Sequence, residues 1–209
     1  GARGGADAEI AAAAARSVER AHDLRDASWE LRLSASYDLA GQLDTAVGLL
    51  ARGLARCVTV SSGAYGGWDT HVNNDQGQLP LFDLLFAELS RTLARLAALP
   101  GEAGGSLLDE TTVVVLSEMG RTPAYNGSLG RDHWPFTSML IAGAGATGAE
   151  IGGWDDHYFG RRIDPASGEP WADGDVLDMD MVGATLVAMA GVDPERWLPG
   201  QAAIGALLA

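Results

Sequence analysis

Thr111–Pro135 reads T-T-V-V-V-L-S-E-M-G-R-T-P-A-Y-N-G-S-L-G-R-D-H-W-P, and its first seven residues carry the expectation for the fold. Thr111–Ser117 is β-branched, apolar and uncharged, the pattern of a strand buried on both faces of a parallel sheet. The run stops at Glu118, and Arg121, Pro123, Asn126, Gly127, Gly130, Arg131, Asp132 and His133 follow at once. In open α/β sheets, ligand chemistry gathers just beyond the carboxyl ends of such strands. A carboxylate, two guanidiniums and an Asp-His pair in that position are residue types that bind metal or phosphate. Solvated loop charges are the alternative reading of the same residues.

Upstream, Leu79–Leu99 places Leu81, Leu84, Leu85, Leu89, Leu93 and Leu96 at helical spacing, and Ser34–Leu54 does the same with Leu39, Leu43, Val47 and Leu50. Between them, Arg56–Ser61 reads as a short strand with Cys57 as a small buried hydrophobe. Strand, long amphipathic helix and strand make the βαβ pattern, so Arg56–Ser61 and Thr111–Ser117 are expected as parallel neighbours. Thr137–Ala142 is a third strand. Asp178–Ala190 is a last helix, Pro194–Ala209 an apolar tail that packs, and Ala6–Asp26 an alanine-rich helix with an exposed His22. The fold class expected is α/β, a three-layer sandwich around a mostly parallel sheet. Residues 1–34 form an N-terminal helical segment and 35–209 the C-terminal part of the α/β domain. Three strands are few for such a sheet, which points to strands upstream of Gly1. A covering partner is expected, either that N-terminal half or another polypeptide.

Composition bounds the function. The chain's 209 residues fit one sizeable domain, and a hydrophobic share of 47% suffices for a core. A net charge of −14 argues against a nucleic-acid backbone as partner. It also repels anionic substrates unless a metal or arginines reverse the field locally. No uncharged run reaches the length of a membrane span. Cys57 is the one cysteine, which excludes an internal disulfide. The sequence starts at Gly1 without an initiator methionine or a signal peptide, so upstream sequence is expected to have been removed or left out.

A second constellation is G-G-W-D-T-H, Gly66–His71, which follows the strand at Cys57. Asp69 and His71 offer a carboxylate oxygen and an imidazole nitrogen to one cation, a mixed set that suits a divalent metal. Turn-capping and hydrogen-bonding roles are their alternative. With Glu118, Asp132 and His133 they make five candidate ligands for zinc, calcium or magnesium. G-G-W-D-D-H at Gly152–His157 echoes the motif. Asp155 and His157 read first as a polar loop and second as additional ligands. G-A-G-A-T-G at Gly143–Gly148 lacks the lysine of a phosphate-binding loop and reads as a tight crossover.

G-G-W-D-T-H, V-V-L-S-E-M-G-R-T-P, G-R-D-H-W-P and D-M-D-M-V-G-A-T-L-V-A-M-A-G-V-D-P, in that order from Gly66 to Pro194, resemble the family catalogued as domain of unknown function 1501. That family is often labelled sulfatase-like and placed in the alkaline-phosphatase-like superfamily. The resemblance implies an alkaline-phosphatase-like core, incomplete here at the N-terminus, with two metals and a Ser, Thr or formylglycine nucleophile upstream of Gly1. By motif, Asp69 and His71 stand at one metal, Glu118 at the other, and His133 is the late histidine ligand with Asp132 beside it. Arg121 and Arg131 would act catalytically by holding an oxyanion. The family's E-F-G-R-T reads E-M-G-R-T here. The resemblance further implies export by a twin-arginine signal to the periplasm or cell envelope. Two functions follow as expectations: a metal-dependent hydrolase of phosphate or sulfate esters taking a small anionic ester, or a non-catalytic subunit or surface component that keeps the fold for assembly.

Overall fold

A computed structural model describes residues 2–30, 38–63 and 67–208. Among these residues lie helices α1 (Ala2–Glu30), α2 (Leu39–Ala51), α3 (Asn74–Ala98) and α4 (Met179–Met189). The strands are short: β1 (Thr112–Val115), β2 (Gly120–Arg121), β3 (His133–Trp134), β4 (Leu140–Gly143), β5 (Arg162–Ile163) and β6 (Asp175–Val176). Residues 34–37, the first turn expected of the second helix, and the boundary between residues 34 and 35 lie outside the described residues.

α1 is helical through alanine propensity rather than packing. Ile10, Val18 and Leu24 are exposed along it, as is His22. α2 begins at Asp38, whose side chain accepts from the Gly41 amide at 2.7 Å, a carboxylate N-cap. Its inner face meets α3 in a core of Val47, Leu96 and Leu107, against which Leu50, Leu99, Leu108 and Val113 pack. At the rim Asp44 receives Arg91 at 2.8 Å and Arg95 at 2.6 Å, exposed pairs that add little beside the apolar contact.

The expected three-layer sandwich with a mostly parallel sheet is not the architecture. The described strands form three two-stranded antiparallel sheets, β1–β4, β2–β3 and β5–β6. The β-branched run does form a strand, but it pairs with β4 in antiparallel register, Thr112 opposite Gly143 and Val115 opposite Leu140. Its residues are half-buried rather than buried on both faces. The connection decides the direction. A parallel return needs a crossover, usually a helix, whereas the chain from β1 to β4 passes only through the β2–β3 ribbon and comes back alongside.

The other half of the parallel expectation fails at Arg56–Ser61, which joins no ladder among the described residues. Ser61 instead exchanges two hydrogen bonds with the Gln42 side-chain amide, at 3.0 and 3.2 Å. With no sheet to cover it, Cys57 is exposed rather than buried. Thus, among the described residues, α3 has a strand after it and none before it, and βαβ does not form.

A second core closes the C-terminal part. Asp178 caps α4 by accepting from the Met181 amide at 2.9 Å, and Met181 packs with Ile163 and Ile204. Thr185, 1% exposed, donates to the Met181 carbonyl at 2.7 Å and accepts from the Ile204 amide at 2.9 Å. That pair ties the tail to α4 with its buried polar atoms satisfied. No helix among the described residues is long and apolar enough to cross a membrane.

Candidate metal centre

Two segments far apart in sequence build the site. The first runs from Trp68 into α3. Thr70 donates to Asn74 at 2.6 Å, and Gln78, one turn further on, reaches back to the Trp68 carbonyl at 2.9 Å. Asp69 and His71 are thereby fixed against the start of a helix. The second is the β2–β3 ribbon with its connecting loop. Asn126 organises that loop, its side-chain oxygen accepting from the Ser128 and Gly130 amides, both at 2.9 Å. Thr122 and Asp132 close its base through a backbone bond of 2.9 Å.

The loop docks on the first segment through its backbone. Val72 bridges Leu129, the Arg131 amide donates to the Thr70 carbonyl at 3.0 Å, and the Asn73 amide to the Ser128 carbonyl at 3.1 Å. Gly130 sits where only a glycine fits, because a Cβ there would collide with the His71 carbonyl and the Val72 amide. This close approach brings Asp132 and His133 to Asp69 and His71. On the ribbon, Arg121 is the cross-strand partner of His133, which sets its side chain on the same face.

The result is a triangle of ligand-type atoms. Asp69 Oδ1 lies 3.1 Å from His71 Nε2 and 3.1 Å from His133 Nε2, and the two imidazole nitrogens are 3.2 Å apart. His71 Nδ1 stands 2.8 Å from Asp132 Oδ1, to which Asn126 Nδ2 also donates at 3.1 Å. Arg121 Nη2 donates to Asp69 Oδ1 at 2.6 Å and to the Trp68 carbonyl at 3.0 Å. The Asp69 and His133 side chains are each 52% exposed and His71 43%, so solvent reaches all three.

Charge follows from these contacts. The Arg121 guanidinium, then His133, hold the Asp69 carboxyl down at about 2. His71, then Asn126, lower Asp132 below the usual carboxylate range. Both groups are therefore carboxylates at neutral pH and can only accept. Asp132 therefore accepts from His71 Nδ1, which leaves Nε2, beside Asp69 Oδ1 and His133 Nε2, as the nitrogen that can ligate a cation. Electron-rich atoms at this spacing repel unless a proton or a cation lies among them.

The donor set fits a divalent ion. Ligands about 2.0–2.1 Å from a tetrahedral ion stand about 3.3 Å apart, and those of an octahedral one about 2.9 Å. The observed 3.1–3.2 Å edges fall between these values. A carboxylate locking the far nitrogen of a ligand-type histidine is the usual support of such a site.

The other expected site residues are placed differently. Glu118 is exposed, accepts from Ser117 Oγ at 3.1 Å, and is not among the grouped ligand atoms, which belong to Asp69, His71 and His133. Arg121 spends both terminal nitrogens on Asp69 and on the Trp68 and Arg131 carbonyls. Arg131 Nη1 donates to the Thr122 and Pro123 carbonyls at 2.8 and 2.6 Å, and its guanidinium covers the Tyr125 ring at 4.3 Å. Asp155 accepts from the His157 and Phe159 amides at 2.8 and 2.9 Å, holding a turn, and neither Asp155 nor His157 joins the cluster. Sequence reasoning assigned no function to Asn126 and passed over Tyr125, whose hydroxyl bonds Asp75 at 2.7 Å. Only the turn pair Asn126-Gly127 offered a signal for the former.

The described residues have an α+β fold, with a cluster of two histidines and one carboxylate where an antiparallel ribbon meets the segment leading into α3. The chain belongs to the family described as Protein of unknown function (DUF1501), whose model matches residues 6–198. No curated protein and no solved structure matches the chain.

Proposed function

We propose that Asp69, His71 and His133 bind one divalent cation and that the protein hydrolyses phosphate or sulfate esters there. The observation that carries this reading is the convergence of three ligand atoms within 3.2 Å, with the outer nitrogen of His71 already held by Asp132. Two imidazoles and one carboxylate favour a zinc-like ion over calcium or magnesium, which prefer all-oxygen sets. When bound, such an ion supplies Lewis acidity, polarising the ester and lowering the pKa of water toward neutrality.

The remaining groups position and recognise. Arg121 holds Asp69 in place and Asp132 fixes the tautomer of His71. Arg131 has Nε and Nη2 without a hydrogen bond among the described residues, the fork edge that suits a phosphate or sulfate. Asp69, Asp132 and Arg121 sum to a local charge of about −1, and a divalent ion turns that to about +1. An anionic ester is thus attracted locally to a chain whose net charge is −14.

The test is metal stoichiometry and turnover together. Zinc-loaded wild type is expected to hold about one ion per chain and to release 4-nitrophenol from 4-nitrophenyl phosphate or sulfate. His133→Ala loses both. Wild type that binds no metal, or turnover that survives His133→Ala, refutes the proposal.

A further inference from the structure

G-G-W-D-D-H, the motif that adds nothing to the cluster, builds something else. From Trp154 to Gly160 the chain makes a tight antiparallel turn closed by a Trp154–Gly160 bridge. The Asp155 amide donates to the Phe159 carbonyl at 2.9 Å while its carboxylate takes two amides from inside the turn. Tyr158 is held in left-handed backbone, φ 62°, a conformation an aromatic residue adopts only when its surroundings impose it. Trp134 Nε1 donates to the Tyr158 carbonyl at 3.0 Å, and the Trp134 ring stacks on Phe159 at 5.4 Å. Phe136 meets Trp154 and Phe159 edge-on, at 6.4 and 5.5 Å.

Trp134, Phe136, Trp154 and Tyr158 of this wall line a cleft of about 370 Å3 together with Arg121 and Arg131. The volume lies in the range of small-molecule sites, about 300–1,000 Å3. Trp154 and Tyr158 stay 40% and 56% exposed on this hydrogen-bonded turn. Exposed rings beside a guanidinium whose Nε and Nη2 make no hydrogen bond among the described residues offer a flat apolar face and an anion contact at once. Arg121 joins the two features, lining the cleft and bonding Asp69 of the cluster.

We infer that the cleft is the leaving-group subsite and takes a six-membered ring bearing the sulfate or phosphate ester. The inference rests on the hydrolytic reading of the neighbouring cluster. The ring lies against Trp154 and Tyr158, and the ester oxygens take Nε and Nη2 of Arg131. In the reaction, the oxygen of water bonds to phosphorus or sulfur, and the bond from that atom to the bridging ester oxygen breaks. One proton of the water ends on that oxygen, which departs as the phenol or sugar alcohol, and the other stays on the released sulfate or phosphate or passes to solvent. Aryl rings and pyranose rings share the flat face, so the ligands tested must separate them.

Calorimetric binding to the full chain, with and without zinc, compares 4-nitrophenyl sulfate, glucose 6-sulfate and ring-less methyl sulfate. At least one ring ester is expected to bind about tenfold tighter than methyl sulfate, a difference of the size of one stacked aromatic contact. Which one does so identifies the ring. Trp154→Ala abolishes the preference and leaves zinc content unchanged. Trp154→Leu, which keeps apolar contact with Phe136 but has no flat face, does the same. Equal binding of ring and ring-less esters, or a preference that survives both variants, overturns the subsite. A Trp154-dependent ring preference in a protein that takes up no zinc keeps the subsite and sinks the hydrolytic reading instead. Zinc uptake without ring preference does the reverse.

Discussion

Replacing Asp132 with asparagine removes the negative charge that fixes His71 while nearly keeping the side-chain shape. In the wild type, Asp132 Oδ1 accepts from His71 Nδ1 at 2.8 Å and from Asn126 Nδ2 at 3.1 Å. An amide oxygen can still accept from His71, but as a neutral dipole it supports the imidazole less as a donor to a cation. Loss of such outer support costs about 10–100-fold in metal affinity. Asp132→Asn keeps the orientation and should lie near the tenfold end. Asp132→Ala frees the ring as well and should lie near the hundredfold end. Competition with a chelating dye at neutral pH measures this directly, with His133→Ala as the variant lacking one ligand. The order of affinity expected is wild type, Asp132→Asn, Asp132→Ala, His133→Ala. Unchanged affinity in both Asp132 variants would refute the role of His71 as a ligand held by Asp132. No zinc uptake in any of the four proteins would refute the centre, and leave Asp69, His71, Asp132 and His133 as a hydrogen-bond network.

Gly130→Ala should destabilise the protein by more than about 1 kcal/mol, since its Cβ meets backbone at His71 and Val72 that cannot yield cheaply, and should weaken zinc binding as well. Normal zinc affinity in that variant would show that the loop does not position the site. Leu96→Ala, at a side chain 1% exposed between α2 and α3, should cost about 2–5 kcal/mol and lower Tm by roughly 5–15 °C. A thermal melt with no shift would mean that this helix pair contributes little to the cooperative unit. The Phe159 amide and, less strongly, the His157 amide hold the Asp155 carboxyl below its ordinary range. A depressed folded value stabilises fully above the unfolded carboxylate value, about 3.9, and the contribution is lost as pH falls through the folded one. Acid titration of near-ultraviolet circular dichroism should therefore show the aromatic turn loosening below about pH 4 in wild type. Asp155→Asn should already lack that contribution at neutral pH, and identical titrations of the two proteins would count against it.

Much of the local structure could be read from residue order, because it depends on near neighbours. Leucines at helical spacing mark the inner faces of α2 and α3, where Leu89 and Leu96 are buried, although Leu84 of the same series is exposed. The β-branched run is extended at Thr112–Val115. Asp69, His71, Asp132 and His133 stand out by residue type, as loop carboxylates and imidazoles beside glycine and arginine. Family membership was also legible, through four motifs in order.

What residue order left open is what non-local contacts decide. An apolar β-branched run favours extended backbone without saying which strand will pair with it or in which direction, so β1 reads the same for a parallel sheet as for the antiparallel pair it makes with β4. Arg56–Ser61 has strand composition but finds no ladder, and its Cys57 stays in solvent. The same holds at the site, where sequence treated five acids and histidines alike. The loop Thr122–Asp132 docks through backbone bonds onto residues more than 50 positions earlier, and that docking brings Asp69, His71 and His133 to 3.1–3.2 Å while Glu118 stays apart. The Arg121 contact to Asp69 and the Gly130 approach to His71 follow from the same fold-back. Residue types set which atoms can bind a cation, and only the long-range backbone contacts set which of them meet.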